Sequence, residues 1–179
     1  MNPDLNLGTK QYLAVVLVLL FSLTGAYILL DSQESDTREN IDWKQVELED
    51  VRSGESYTVA ELEKPVLVET FAVWCTTCTR QQQEVQEFHS ESGVTSVSLN
   101  VDSNEDRQKI QDHLDRHGFD WRYSVSPTSL TRSLISDHGQ VMVNPPSAPM
   151  VLVCEEGERK LPTGVKPVSK LKEEVEKGC

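Results

Sequence analysis

Two cysteines one helical turn apart, placed at the end of an unbroken β-prone run, restrict this chain more than any other feature. Val66-Leu67-Val68-Glu69-Thr70-Phe71-Ala72 follows the turn signal Lys64-Pro65 and leads through Val73 into Trp74-Cys75-Thr76-Thr77-Cys78. A run with so little polar alternation reads as a central strand covered on both faces. The strand then hands over to a helix predicted over Gln81–Ser90 and closed by Gly93. Cys75 falls at the helix N-terminus, where unpaired N–H groups and the positive end of the macrodipole stabilise a thiolate. Cys78 lies one turn on, on the same face, placed to expel Cys75 from a mixed disulfide. A dithiol beside a βαβ pattern reads as redox chemistry. Half a zinc site would need a second pair or a His-rich partner, and Cys154 and Cys179 are isolated from each other and from the motif. A purely structural disulfide closing so short a loop would constrain the unfolded chain little. No metal and no cofactor is expected.

The rest of the soluble region alternates strand and helix. Val46–Leu48, Val94–Val101 and Trp121–Val125 read as strands. Asn104–His117 reads as a helix capped by Ser103 or Asn104 and ended by Gly118, and Thr128–His138 as another. Met150–Cys154 and Arg159–Leu161 flank Glu156-Gly157 as a hairpin, and Val168–Lys177 closes the chain with Val168, Leu171 and Val175 on one face. The pattern predicts an α/β sandwich around a mixed sheet.

Gln11–Leu30 carries no ionisable acid or base, and its 20 residues would span roughly 30 Å as a helix. That length favours a retained transmembrane anchor over a cleaved signal, whose apolar region is shorter. Lys10 precedes the span and Asp31, Glu34 and Asp36 follow it, so residues 1–10 are expected in the cytoplasm and the bulk of the protein outside. Residues 31–45 read as a solvated tether and 46–179 as the folded domain. With 17 Lys and Arg against 29 Asp and Glu, the net charge is −12, which excludes a nucleic-acid partner and gives a solubilising acidic surface compatible with a salt-rich medium.

The segment Val66–Cys78 resembles the active-site strand and motif of the thioredoxin superfamily, and the resemblance extends over about Val46–Lys177. The N-terminal anchor, the Val97–Asp102 strand running into Asn-Glu-Asp, and the Glu156-Gly157 turn before a final helix are most similar to TlpA/ResA-type membrane-tethered thiol-disulfide oxidoreductases. The resemblance implies a thioredoxin fold with a mixed central sheet flanked by helices. It makes Cys75 the exposed nucleophile, Cys78 the buried resolving cysteine, and Glu69 a buried acid that exchanges protons with Cys78; a solvent-facing acid at a strand end is the alternative. It implies that Ala148-Pro149 forms a cis-proline loop that offers the Ala148 backbone to an extended client, with Pro145 and Pro146 competing for the role, and that Trp74 covers part of the client groove. Protein thiols and disulfides are the implied clients, and a membrane protein the implied electron donor. The family's Gly-Pro between the cysteines is Thr76-Thr77 here, and the acid of ResA-like proteins three residues after the second cysteine is Gln81, with Glu84 three further on. A non-catalytic peptide- or metal-binding assembly module of the same fold is the rival reading. His113 and His117 read as a solvated helix face. Cys154 and Cys179 remain open between a second disulfide and no pairing.

Overall fold

The computed structural model describes residues 41–178. The apolar segment 11–30, residues 1–10, most of the tether and Cys179, and with it any pairing to Cys154, lie outside those residues. Among the described residues no helix is long and apolar enough to cross a membrane.

Among the described residues seven strands and four α-helices follow in order: β1 (Leu48–Glu49), β2 (Ser56–Tyr57), β3 (Val66–Phe71), α1 (Thr76–Glu91), β4 (Thr95–Asn100), α2 (Arg107–His117), β5 (Arg122–Val125), α3 (Thr128–His138), β6 (Met150–Cys154), β7 (Gly157–Lys160) and α4 (Val168–Lys177). Five strands form one sheet in the order β5-β4-β3-β6-β7. In it β3 pairs parallel with β4 and antiparallel with β6, so the sheet is mixed as expected. All six residues of β3 are buried. Successive side chains point to opposite faces. Val66 and Val68 therefore pack with Leu130 and Leu134 of α3, and Leu67 packs with Val85 and Phe88 of α1 and Leu171 of α4. Glu69, two residues beyond Leu67, shares its face and lies beneath α1.

Several boundaries differ from the sequence reading: β1 shifts to Leu48–Glu49, β7 to Gly157–Lys160, and the short β2 has no counterpart in it. The fold begins before Val46: Trp43, assigned to the tether, is fully buried. Its indole donates to Glu158 Oε1 at 3.2 Å, a carboxylate that also takes Lys44 and His138. One aromatic residue was enough to dock this segment, and a mostly polar composition concealed it. Helix α1 starts at Thr76, with Cys75 as its N-cap, ahead of the expected Gln81; polar Thr79–Arg80 carry no apolar period, which hides the first turn in the sequence. Helix α2 is capped by Asp106, whose carboxylate accepts from Lys109 N at 3.0 Å. Asp102 and Asn104 are spent instead on a local turn, Asn104 N to Asp102 Oδ1 at 2.9 Å. His113 is buried rather than solvated, on the same helical face as Ile110 and Leu114 and packed on Phe71 and Phe119.

Candidate active site

Cys75 is the N-cap residue of α1, with extended backbone (φ −84°, ψ 103°), and its Sγ accepts from Cys78 N at 3.1 Å. An N-cap side chain takes the amides of the first turn, so a sulfur here faces donors that favour its anion. The two cysteines form a disulfide. Cys78 meets the opposite polarity: its Sγ lies 3.2 Å from the carbonyl oxygen of Pro145. A carbonyl at that distance favours a thiol and disfavours a thiolate, the opposite of the amide that faces Cys75. The expectation of an exposed Cys75 is corrected: both sulfur-bearing residues are 2% exposed in this disulfide form. The turn Pro145–Ser147 packs against α1 beside them.

Trp74, at 58% exposure, is the large apolar surface next to the disulfide. Its indole Nε1 donates to Asp102 Oδ2 at 2.6 Å. Glu105 takes the backbone amides of Val73 (2.8 Å) and Trp74 (3.3 Å), together with Asn100 Nδ2. Two acids from the β4–α2 loop thus fix the segment that delivers Cys75. The amide of Asn104 and then the Trp74 indole hold Asp102 below the usual carboxylate range.

The Ala148-Pro149 reading is corrected in its geometry. Among the described residues the cis peptide bond is Lys64–Pro65, and Ala148 instead adopts left-handed φ 44°, ψ 57°. Its N–H is taken by Pro145 O at 2.8 Å and its carbonyl by Lys166 Nζ at 2.8 Å, so neither group is offered to a client. Pro149 O accepts from Thr70 N at 3.3 Å, which joins the loop to β3. The carbonyl brought to the sulfurs is that of Pro145.

Glu69 is 4% exposed. It stands in register with Ser98 across the β3–β4 pairing, and Ser98 Oγ donates to Glu69 Oε1 at 2.6 Å while accepting from Trp121 Nε1 at 2.8 Å. Burial pushes the Glu69 carboxyl up to about 7, against the lowering effects of Ser98, Gln82 and the Lys166 ammonium. Gln82, one turn beyond Cys78, aims its Nε2 toward this carboxyl without completing a hydrogen bond, and its Oε1 meets His113 Nε2 at 2.7 Å. Burial, then the charges of His117 and Arg116, lowers His113 to about 4, leaving it neutral at physiological pH.

Sequence reasoning missed Ser98, Gln82, Glu105 and Lys166 as parts of this site. Ser98 was recoverable once β3 and β4 were aligned in parallel, since one register step pairs it with Glu69. Lys166 carries no local signal, lying 97 positions from Glu69 in the chain. Gln81, at the position where ResA-like proteins place an acid, is buried and clamps the Lys166 backbone, accepting from its N at 2.6 Å and donating to its O at 3.2 Å. Glu84 accepts from Val168 N at 3.0 Å and serves the first turn of α4.

Solved structures share this architecture. A secreted Mycobacterium tuberculosis disulfide oxidoreductase homologous to E. coli DsbE superposes with a TM-score of 0.58 at 17% identity, covering 75% of this chain and 97% of its own. A thioredoxin-related protein from Neisseria meningitidis serogroup B gives 0.60 at 16% identity, covering 72% and 96%. StoA from Bacillus subtilis gives 0.55 at 17%, covering 70% and 92%. At such identities the likeness shows the thioredoxin-like fold alone. No curated protein matches the sequence. The Redoxin family model matches residues 39–157, a stretch that runs from before Trp43 through the disulfide to the β6–β7 turn. A match over well over half of the chain, on a thioredoxin-like fold with a Cys-x-x-Cys disulfide at a helix start, places the protein in the Redoxin family.

Proposed function

We propose that this thiol-disulfide oxidoreductase works outside the cytoplasm, tethered by a helix over residues 11–30, and reduces disulfides of protein clients with electrons from a membrane donor. The observation that carries the redox part is the opposite polarity at the two sulfurs, an amide at Cys75 and a carbonyl at Cys78. In the reduced protein the Cys75 thiolate attacks a client disulfide, forming a mixed disulfide and releasing one client thiolate. Glu69 takes the Cys78 proton. The Cys78 thiolate then attacks Cys75 Sγ, closing the Cys75–Cys78 bond and expelling the second client thiolate, and solvent and Glu69 return the two protons. The client gains two electrons and two protons; the protein gives up two electrons and the Cys78 proton, and solvent supplies the second proton. Trp74 is the client-facing apolar surface, with Pro149 and Ala148 supporting the loop behind it.

The tether and its orientation rest on the apolar span and on Lys10 against Asp31, Glu34 and Asp36. A membrane-impermeant maleimide should label the mildly reduced protein in intact cells; labelling only after lysis would reverse the topology. Reduction of insulin tests the activity, and a parent protein without turnover would favour the peptide-binding module.

The Thr76-Thr77 pair sets the potential. Thr77 supplies a first-turn N–H that a proline lacks, and charge-assisted donors favour the reduced form by stabilising its thiolate. Thr77→Pro is therefore expected to lower the potential by about 30 mV, the equivalent of roughly 1.4 kcal/mol for a two-electron couple. Equilibration against glutathione measures it, and an unchanged or raised potential would remove Thr77 from the account.

A further inference from the structure

Lys166 is a charged residue at 3% exposure, and its ammonium ends in a cage of three carbonyls: Gly164 at 2.6 Å, Ala148 at 2.8 Å and Pro162 at 3.0 Å. An ammonium has three protons and all three are used, which makes burial of the charge tolerable. Both polar backbone groups of Lys166 are clamped by Gln81, three residues past Cys78. The same ammonium acts electrostatically on Glu69. One residue therefore joins the active-site helix through its backbone and the turn whose carbonyl touches Cys78 through its ammonium, whose charge also reaches the acid beneath that helix. The turn needs the support: a non-glycine residue at φ 44° is held only where its surroundings over-determine it.

We infer that Lys166 is a positioning residue for thiol-disulfide exchange, holding the Pro145–Ala148 turn against Cys78 and providing the positive charge that keeps Glu69 available as a proton acceptor. Facing Glu69 are Ser98 from β4, Tyr123 from β5 and Gln82 from α1 with His113 of α2 behind it; Lys166 is the cation. Tyr123 stays neutral because burial pushes its hydroxyl well above its ordinary range. Removing Lys166 thus leaves the Glu69 carboxylate without a counter-charge.

The inference rests on the reductase reading for its kinetic arm only. Carboxyl infrared or carbon NMR titration of the resting disulfide form reads Glu69 without any client. Lys166→Met keeps the aliphatic stem and should raise the Glu69 midpoint by about one unit, leaving roughly fivefold less carboxylate at pH 7. Resolution of the mixed disulfide should slow by the same factor at pH 7 and recover at higher pH, and Lys166→Arg should restore part of both. Should Lys166→Met fail to fold, the wild-type protein still decides: the Lys166 Nζ resonance should shift at the Glu69 midpoint, and that step should vanish in Glu69→Gln. A Glu69 midpoint unmoved in folded Lys166→Met, or a Lys166 resonance blind to Glu69, overturns the inference. Normal titration coupling without insulin turnover would instead count against the reductase reading.

Discussion

Cys78→Ser is expected to abolish multiple turnover of insulin and to leave the client joined covalently to Cys75. Cys75→Ser should abolish turnover with no adduct at all. The difference follows from the polarity at each sulfur. With Cys75 Sγ facing the first-turn amides, its thiolate forms and attacks whether or not Cys78 is present. A serine hydroxyl at position 78 is too weak a nucleophile to displace the client, so the mixed disulfide persists. Neither variant should lose activity by unfolding, since a cross-link over so short a loop contributes about 2 kcal/mol in the chain-entropy model. Non-reducing electrophoresis and mass spectrometry identify the trapped species, and thermal melts of both variants verify the fold. An adduct found on Cys78 instead of Cys75, or turnover surviving either substitution, would reverse the assignment of roles.

The strand, the dithiol and the helix order were legible because each depends on short-range pattern. The apolar run Val66–Phe71 has one solution, and Thr128–His138, Met150–Cys154 and Val168–Lys177 were read to the residue because turn signals bound them. What escaped depends on contacts distant in sequence. Trp43 looked like tether because its neighbours are polar, yet burying a tryptophan is worth on the order of 3 kcal/mol, enough to draw Ile41–Gln45 onto the domain. His113 has mostly polar neighbours in sequence, and the Phe71 and Phe119 rings packed on it show that this face of the helix is turned inward. The sequence presents the loop before β6 as an open backbone edge; a lysine from beyond β7 and a carbonyl from Pro145 occupy that edge instead. No spacing rule encodes such a tertiary capture.

Glu69→Gln is expected to separate stability from rate in opposite directions. Folded Glu69 titrates near 7, against an ordinary 4.5 in the unfolded chain. Below 4.5 the carboxyl is protonated in both states and costs nothing. As pH rises the unfolded chain ionises first, while the folded protein resists until about 7, so stability from this group falls through that window and levels above it. A shift of this size corresponds to about 3 kcal/mol. Lys166, which burial lowers to about 8, stays charged across the window, and the histidines are common to both proteins, so the difference between wild type and Glu69→Gln isolates Glu69. The variant should gain on the wild type progressively from pH 4.5 to 7 in urea melts of the oxidised form. The same substitution removes the proton acceptor for Cys78, and loss of a positioned base typically slows a step by roughly 10²- to 10⁴-fold. Stopped-flow decay of the mixed disulfide should show an inflection near pH 7 in the wild type and none in Glu69→Gln. A variant that is more stable yet resolves the mixed disulfide at the wild-type rate would remove Glu69 as the acceptor, with water taking the Cys78 proton directly.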